Sequence, residues 1–264
     1  MGILGLFKAL MPLILHIPHA STHLPEEALA DFLINSAEIK AEHLRLTDWY
    51  TDELFGQGYP ASHIIQAPCS RLVVDVERFP DDEREPCAQV GMGATYVRTC
   101  AQKIMRTLSP ARREALMQQY YWPHHARLDQ AVAERVRALG YCYILDAHSY
   151  PTGPLHTKLS SGLAPEIGLG TAGKHTSQEF RDFASRFFRQ QGYEVAFDVP
   201  FSGAIVPRAF LGQDFRVQSL MVEVRRDLYM NQATGQKHDG FQRVQATLTE
   251  FRQKLVAWIA LPKA

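Results

Sequence analysis

The chain has 264 residues, with 28 Lys+Arg balanced by 28 Asp+Glu and a hydrophobic fraction of 46%. That length fits one large α/β domain, and the apolar fraction suffices for a substantial core. A formal net charge of zero removes the electrostatic case for a nucleic-acid or anionic-membrane binder, and no apolar run approaches the roughly 20 residues that cross a bilayer.

Residues 1–12 read as an N-terminal extension ahead of a single domain over 13–264. Lys8 followed by ALMPLIL resembles a weak signal peptide, but the charge comes late. Cleavage near Ala20 would also remove a strand and His19, so that reading is set aside; Met1 and Met11 are both open as the natural start. Strands are expected at 13–17, 62–66, 71–77, 141–147, 193–198 and 218–225, each short and rich in Ile, Val, Leu or Tyr. Helical spacing marks 38–55 through Ile39, Leu46, Tyr50 and Leu54, and 124–139 through Leu128, Val132, Val136 and Leu139, with Gly140 as the stop. The clearest helix is 238–259, where Phe241, Val244, Leu248, Phe251, Leu255 and Trp258 share one face. Pro123 predicts a break near Trp122. Residues 149–173, rich in Pro and Gly, read as a loop of about 25 residues, long enough to form an active-site wall or lid. Strands alternating with helices predict one α/β domain with a mostly parallel sheet flanked by helices.

Several chemistries are excluded by their missing motifs. Cys69, Cys87, Cys100 and Cys142 form no C-x-x-C pair, which argues against a cysteine zinc ribbon and fits a reduced, cytoplasmic chain. No serine lies in a G-x-S-x-G elbow, and no glycine-rich loop matches a phosphate or dinucleotide fingerprint.

Strand ends carry the remaining chemistry, because ligands of open α/β sheets bind outside the carboxyl ends of the strands. His19 follows the strand Leu13–Ile17 and Pro18, and taken alone it reads first as a loop histidine. His148 emerges from Ile144-Leu145-Asp146-Ala147, with Asp146 two residues earlier on the same strand face, where a carboxylate orients an imidazole. The plainer role for Asp146 and Ser149 is to cap a turn. Glu223 sits among Met221, Val222 and Val224, an unusual place for a carboxylate unless it is paired, and Arg225 or Arg226 would supply an ordinary ion pair. Two histidines leave a catalytic zinc one protein ligand short. Asp48 in Leu-Thr-Asp-Trp-Tyr is the choice, although an Asp there also suits a helix N-cap; Glu26, His16 and His23 compete. In 71–77 the alternation puts Arg71, Val73, Asp75 and Glu77 on one face. Arg71, Arg78 and Arg208 are candidate grips for substrate carboxylates, because a guanidinium fork binds them through two hydrogen bonds.

Six motifs in order then resemble the N-formylglutamate amidohydrolase (N-formylglutamate deformylase) family. They are Ile-Pro-His-Ala-Ser (17–21), Leu-Thr-Asp-Trp-Tyr (46–50), Ser-Arg-Leu-Val-Val-Asp-Val-Glu-Arg-Phe (70–79), Gly-Met-Gly-Ala-Thr-Tyr (91–96), Asp-Ala-His-Ser (146–149) and Val-Glu-Val-Arg-Arg-Asp-Leu-Tyr-Met (222–230). The resemblance runs from about Leu13 to Gly235. It implies a mixed sheet between helices in a zinc-hydrolase (carboxypeptidase-like / phosphorylase-hydrolase-like) architecture, related also to muramoyl-amidase-like enzymes. It further implies hydrolysis of N-formyl-L-glutamate to formate and L-glutamate, a last step in one histidine-degradation route. The motif histidines fall on His19 and His148 and the strand glutamate on Glu223, while His125 in Trp-Pro-His-His-Ala-Arg-Leu matches a family histidine without an assigned role. Two departures stand out: Glu77 where the motif usually has Asn, and Ala172 where Asp is usual. The expected reaction is hydrolysis by metal-activated water, with His19, Asp48 and His148 holding Zn²⁺ (Mn²⁺ or Co²⁺ being open to the same donors) and Glu223 as general base. Its partner is a small acidic N-acyl amino acid. The alternatives are an amidohydrolase for a different N-acyl amino acid and a metal- or ligand-binding homologue without catalysis.

Overall fold

The computed structural model describes residues 10–153 and 165–261. Six strands, β1 (Leu13–Ile17), β2 (Ile64–Gln66), β3 (Cys142–Tyr150), β4 (Ile167–Thr171), β5 (Val195–Phe197) and β6 (Val217–Arg225), form one sheet in the order β2-β1-β3-β6-β4-β5. The strands β2, β1, β3 and β6 run parallel; β4 pairs antiparallel with β6 and carries β5 parallel to itself. The expected α/β class with a mixed, mostly parallel sheet is therefore the observed one. The helices are α1 (Glu26–Leu29), α2 (Ser36–Leu46), α3 (Thr51–Gly56), α4 (Pro110–Leu116), α5 (Trp122–Leu139), α6 (Gln178–Gln190) and α7 (Gly240–Ile259). Among the described residues, no helix is long and apolar enough to cross a membrane.

The two-residue period of the strands divides the interior. On one face Leu13, Leu15, Leu145, Leu220, Val222 and Val224 pack against α3, α6 and α7 in the largest apolar cluster. On the other, Ile14, Ile144 and Val217 meet Leu128, Val132 and Val136 of α5. Toward the carboxyl ends, the α5 face turns polar: His16 follows Ile14, while Asp146 and His148 follow Ile144. Glu223 aligns with His148 in the β3–β6 register, so four titratable side chains share this end of the sheet.

Several expectations give way to local chemistry. Residues 71–77 are a buried turn rather than a strand. The Ser70 hydroxyl accepts from Leu72 N at 3.1 Å and Asp75 Oδ1 from Glu77 N at 3.0 Å, side-chain bonds that replace a ladder. The helix expected over 38–55 divides into α2 and α3, because Thr47 is extended at ψ 136° and Tyr50 takes a left-handed conformation at φ 65°. Pro123 does not interrupt the chain with a loop; a π-helical turn at Met117–Tyr121 joins α4 to α5, which starts at Trp122. Gly140, at φ 85°, ends α5 as expected. The helix α6 lies outside the expected helices and is capped by Ser177, whose side chain accepts from Phe180 N. The loop expected over 149–173 contains the end of β3 and all of β4, while residues 154–164 lie outside the described residues. The glycines of β4 fit a close backbone approach rather than a loop: a Cβ at Gly170 would fall 2.2 Å from Gly203 O, and one at Gly168 2.7 Å from Val199 O.

Candidate active site

His19 sits just past β1, three per cent exposed, with its ring held by two neighbours. Nε2 lies 2.8 Å from Asp75 Oδ1 and donates to it, which leaves Nδ1 as the free lone pair. That Nδ1 is buried, makes no hydrogen bond, and faces Asp48 Oδ2 at 3.4 Å. Asp48 occupies the break between α2 and α3. Its side chain does not cap α3; instead its carbonyl accepts from Thr51 Oγ1, and its amide donates to His19 O at 3.0 Å. The carboxylate thereby turns inward, with Oδ1 accepting from Arg226 Nη2 at 3.0 Å.

His148 completes the triangle. Its Nδ1 is 3.1 Å from Asp48 Oδ2, its Nε2 is 3.1 Å from Asp146 Oδ1, and its ring centroid is 5.1 Å from that of His19. Asp146 is the expected orienting carboxylate. Its other oxygen accepts from Ile205 N at 2.9 Å, and Ser149 accepts from Arg226 Nε rather than capping a turn. One donor atom from each of His19, Asp48 and His148 lies within 4.8 Å of the other two. Bonds of about 2.0–2.1 Å to a tetrahedral zinc put its donors about 3.3 Å apart, close to the contacts of Asp48 Oδ2 with both rings. Each ring turns its far nitrogen to a carboxylate, as metal-ligating histidines do. The residues present therefore fit a divalent ion held by Nδ1 of two imidazoles and one carboxylate oxygen.

Electrostatics run the same way. Although burial opposes it, the carboxylates of Asp146 and Asp48 hold His148 well above the ordinary imidazole range in the metal-free chain. Asp48 and Asp146 are both lowered, their burial being outweighed by the imidazoles beside them. Negative potential that favours a proton on His148 favours a cation at the same point. Glu223 is the exception: burial pushes its carboxyl up to about 8, and its Oε2 is buried without a hydrogen bond. No ion pair to Arg225 or Arg226 neutralises it; Arg225 pairs with Asp227 and Arg226 with Asp48.

The candidate arginines differ in how far their donors are used. Arg71 is buried and engaged by Asp75 at 2.7 Å, the Tyr96 hydroxyl at 3.1 Å and Leu46 O at 3.2 Å. Arg78 is 3.7 Å from Asp75, with its Nε buried and without a hydrogen bond. Arg208 is exposed, its guanidinium 5.9 Å from the Trp122 ring centre. His125 packs against Tyr121 at a tilt of 37° and bonds Val76 O at 3.0 Å; burial lowers it to about 4, so it is neutral. Of the competing ligands, His23 and Glu26 are exposed and lie outside the triangle, whereas His16 is fully buried beside Asp146. Sequence reasoning missed Asp75 and Arg226 as the groups that aim His19 and Asp48. Arg226 stood beside Glu223 in a recognised motif, but which acid it would reach depends on the path of β6.

Comparison with known proteins follows the same lines. The family model described as N-formylglutamate amidohydrolase matches residues 11–230. Among solved structures, the chain is similar to N-formylglutamate amidohydrolase from Ralstonia eutropha JMP134, with TM-score 0.81 and 24% identity over 94% of each chain. It is also similar to the gene product Atu2144 from Agrobacterium tumefaciens, with TM-score 0.65 and 19% identity over 95% of this chain and 92% of that one. Comparison with curated proteins gave no match. With most of its length, and all of the residues that converge at the strand ends, inside the matched region, the chain belongs to the N-formylglutamate amidohydrolase family.

Proposed function

We propose that the protein is a metal-dependent amidohydrolase that cleaves N-formyl-L-glutamate to formate and L-glutamate. The observation that carries this reading is the buried triangle of His19, Asp48 and His148, with both imidazoles aimed by carboxylates and His19 Nδ1 left without a partner. These three residues are the proposed holders of Zn²⁺. When bound, zinc supplies Lewis acidity toward the amide carbonyl and toward water.

The chain's own groups do the rest. Glu223 is the proposed general base: it removes a proton from the attacking water and returns one to the leaving amine nitrogen. Its raised pKa matches a group that must both accept and release a proton near neutrality. Asp75 and Asp146 hold the tautomers of His19 and His148, and Arg226 holds Asp48. Arg78, whose Nε makes no hydrogen bond and stands 3.7 Å from Asp75, and Arg208 are the proposed grips for the substrate carboxylates, and Arg71 adds charge while holding Asp75. We also place the protein in the cytoplasm, where its four free cysteines stay reduced.

The direct test is formate release from N-formyl-L-glutamate by the zinc-loaded protein, by chelator-treated protein and after zinc is restored. Turnover that disappears and returns with the metal is expected; turnover indifferent to chelation excludes the metal role. A second reading, hydrolysis of a different N-acyl amino acid, is favoured by Glu77. Its carboxylate lies 3.2 Å from His16 beside the site, where a like charge disfavours a dianionic substrate. Formyl, acetyl and larger acyl derivatives of acidic and neutral amino acids, compared by kcat/KM, separate the two.

A further inference from the structure

We propose that His16, Glu77 and Asp146 form a second divalent-cation site, on the far side of the His148 ring from the first triangle. The inference goes beyond the proposed activity and does not depend on it. One donor atom from each of the three lies within 4.8 Å of the other two. His16 Nδ1 is 2.8 Å from Asp146 Oδ1 and 3.2 Å from Glu77 Oε1. Those spacings lie near the roughly 3.3 Å between donors of a tetrahedral ion with bonds of about 2.0–2.1 Å. Glu77 Oε1 is buried and receives no hydrogen bond, an arrangement that costs free energy unless a cation compensates it.

Neighbouring groups prepare His16 for this role. Its Nε2 faces His124 Nε2 at 2.9 Å. Across that contact His124 can accept the proton of His16 Nε2. The Nδ1 lone pair is then left pointing at two carboxylates. Only a second proton or a metal ion reconciles those three groups, and imidazole with carboxylates is a donor set that zinc accepts. The same pattern, one ring nitrogen inward and the other held by a neighbour, marks His19 and His148.

Such an ion would take Asp146 Oδ1, the oxygen that also meets His148 Nε2, and so brace the group that orients His148. An imidazole ring stands between the two positions. They are therefore not the pair of ions about 3.5–4 Å apart that share a reacting oxygen, and His16 and Glu77 act as positioning residues.

Zinc per chain, measured by mass spectrometry after loading and removal of excess, tests this on three proteins: the parental chain, Glu77→Gln and Asp48→Asn. Two ions in the parent and one in each variant is the expected result. One ion in the parent, kept in Glu77→Gln and lost in Asp48→Asn, overturns the second site and leaves the proposed active site standing. One ion lost in Glu77→Gln and kept in Asp48→Asn supports the second site and removes the first. No ion in the parent, or one lost in both variants, overturns two separate sites. If Glu77→Gln does not fold, zinc-edge anomalous diffraction from parental crystals decides by a peak, or none, between His16 Nδ1 and Glu77 Oε1.

Discussion

Leu145 and Asp146 are consecutive residues of β3, both fully buried, and they face different molecules in effect. Leu145 looks toward α6 and α7, where Phe180, Phe188 and Phe251 pack without a polar group to satisfy. Asp146 looks toward α5 and meets two imidazoles. Burial of apolar surface stabilises by about 25 cal/mol per Å², whereas buried charge costs free energy until it finds a partner. On the α5 face some partners are missing: His19 Nδ1, His124 Nδ1, Glu77 Oε1 and Glu223 Oε2 all lack hydrogen bonds. One strand thus serves both purposes by alternation, and the apolar face supplies the stability that lets the polar face stay unsatisfied.

The contrast can be broken most sharply at Glu223. Glu223→Gln should lower kcat by about 10²–10⁴-fold while bound zinc, by mass spectrometry, and the thermal midpoint do not fall, since the substitution removes a buried unpartnered carboxylate oxygen. Parental turnover excludes Glu223 as the base. The opposite signature belongs to Phe251→Ala: a loss of about 3–5 kcal/mol in urea unfolding, with kcat per folded molecule unchanged. Asp75→Asn should weaken zinc binding by about 10–100-fold in a chelator competition; lowered stability at unchanged zinc affinity would confine Asp75 to packing with Arg71. The smallest effect is expected for Arg78→Lys, a rise in KM of about tenfold with kcat retained, because a lysine loses the fork geometry but keeps the charge.

How much of this was legible in the sequence depends on the range of the forces involved. His19, His148 and Glu223 were readable because apolar runs end at or surround them, and a parallel sheet gathers its strand ends on one side. The pairing of Asp146 with His148 followed from the two-residue period alone. Asp48 was chosen only because two histidines leave a zinc one ligand short; local pattern hid it, since the helical spacing of 38–55 runs through it and the break comes from an extended Thr47 and a left-handed Tyr50. The alternation of 71–77 misled because Ser70 and Asp75 bond their own backbone, which no hydrophobic pattern records. β4 was hidden by glycines whose purpose is set by chain more than 30 residues away. His16 was weighed as a rival ligand for one metal, and its link to Glu77 requires the turn that the strand reading denied.

Those glycines reach further than their own strand. Gly170 touches none of the converging imidazoles, yet the carbonyl it accommodates belongs to Gly203, two residues before the amide of Ile205 that steadies Asp146. A methyl group at position 170 would press that segment outward and slacken the carboxylate behind His148. In a mutational scan, Gly170→Ala should therefore score as a loss of metal or turnover, although it sits on no catalytic map drawn from contact distance.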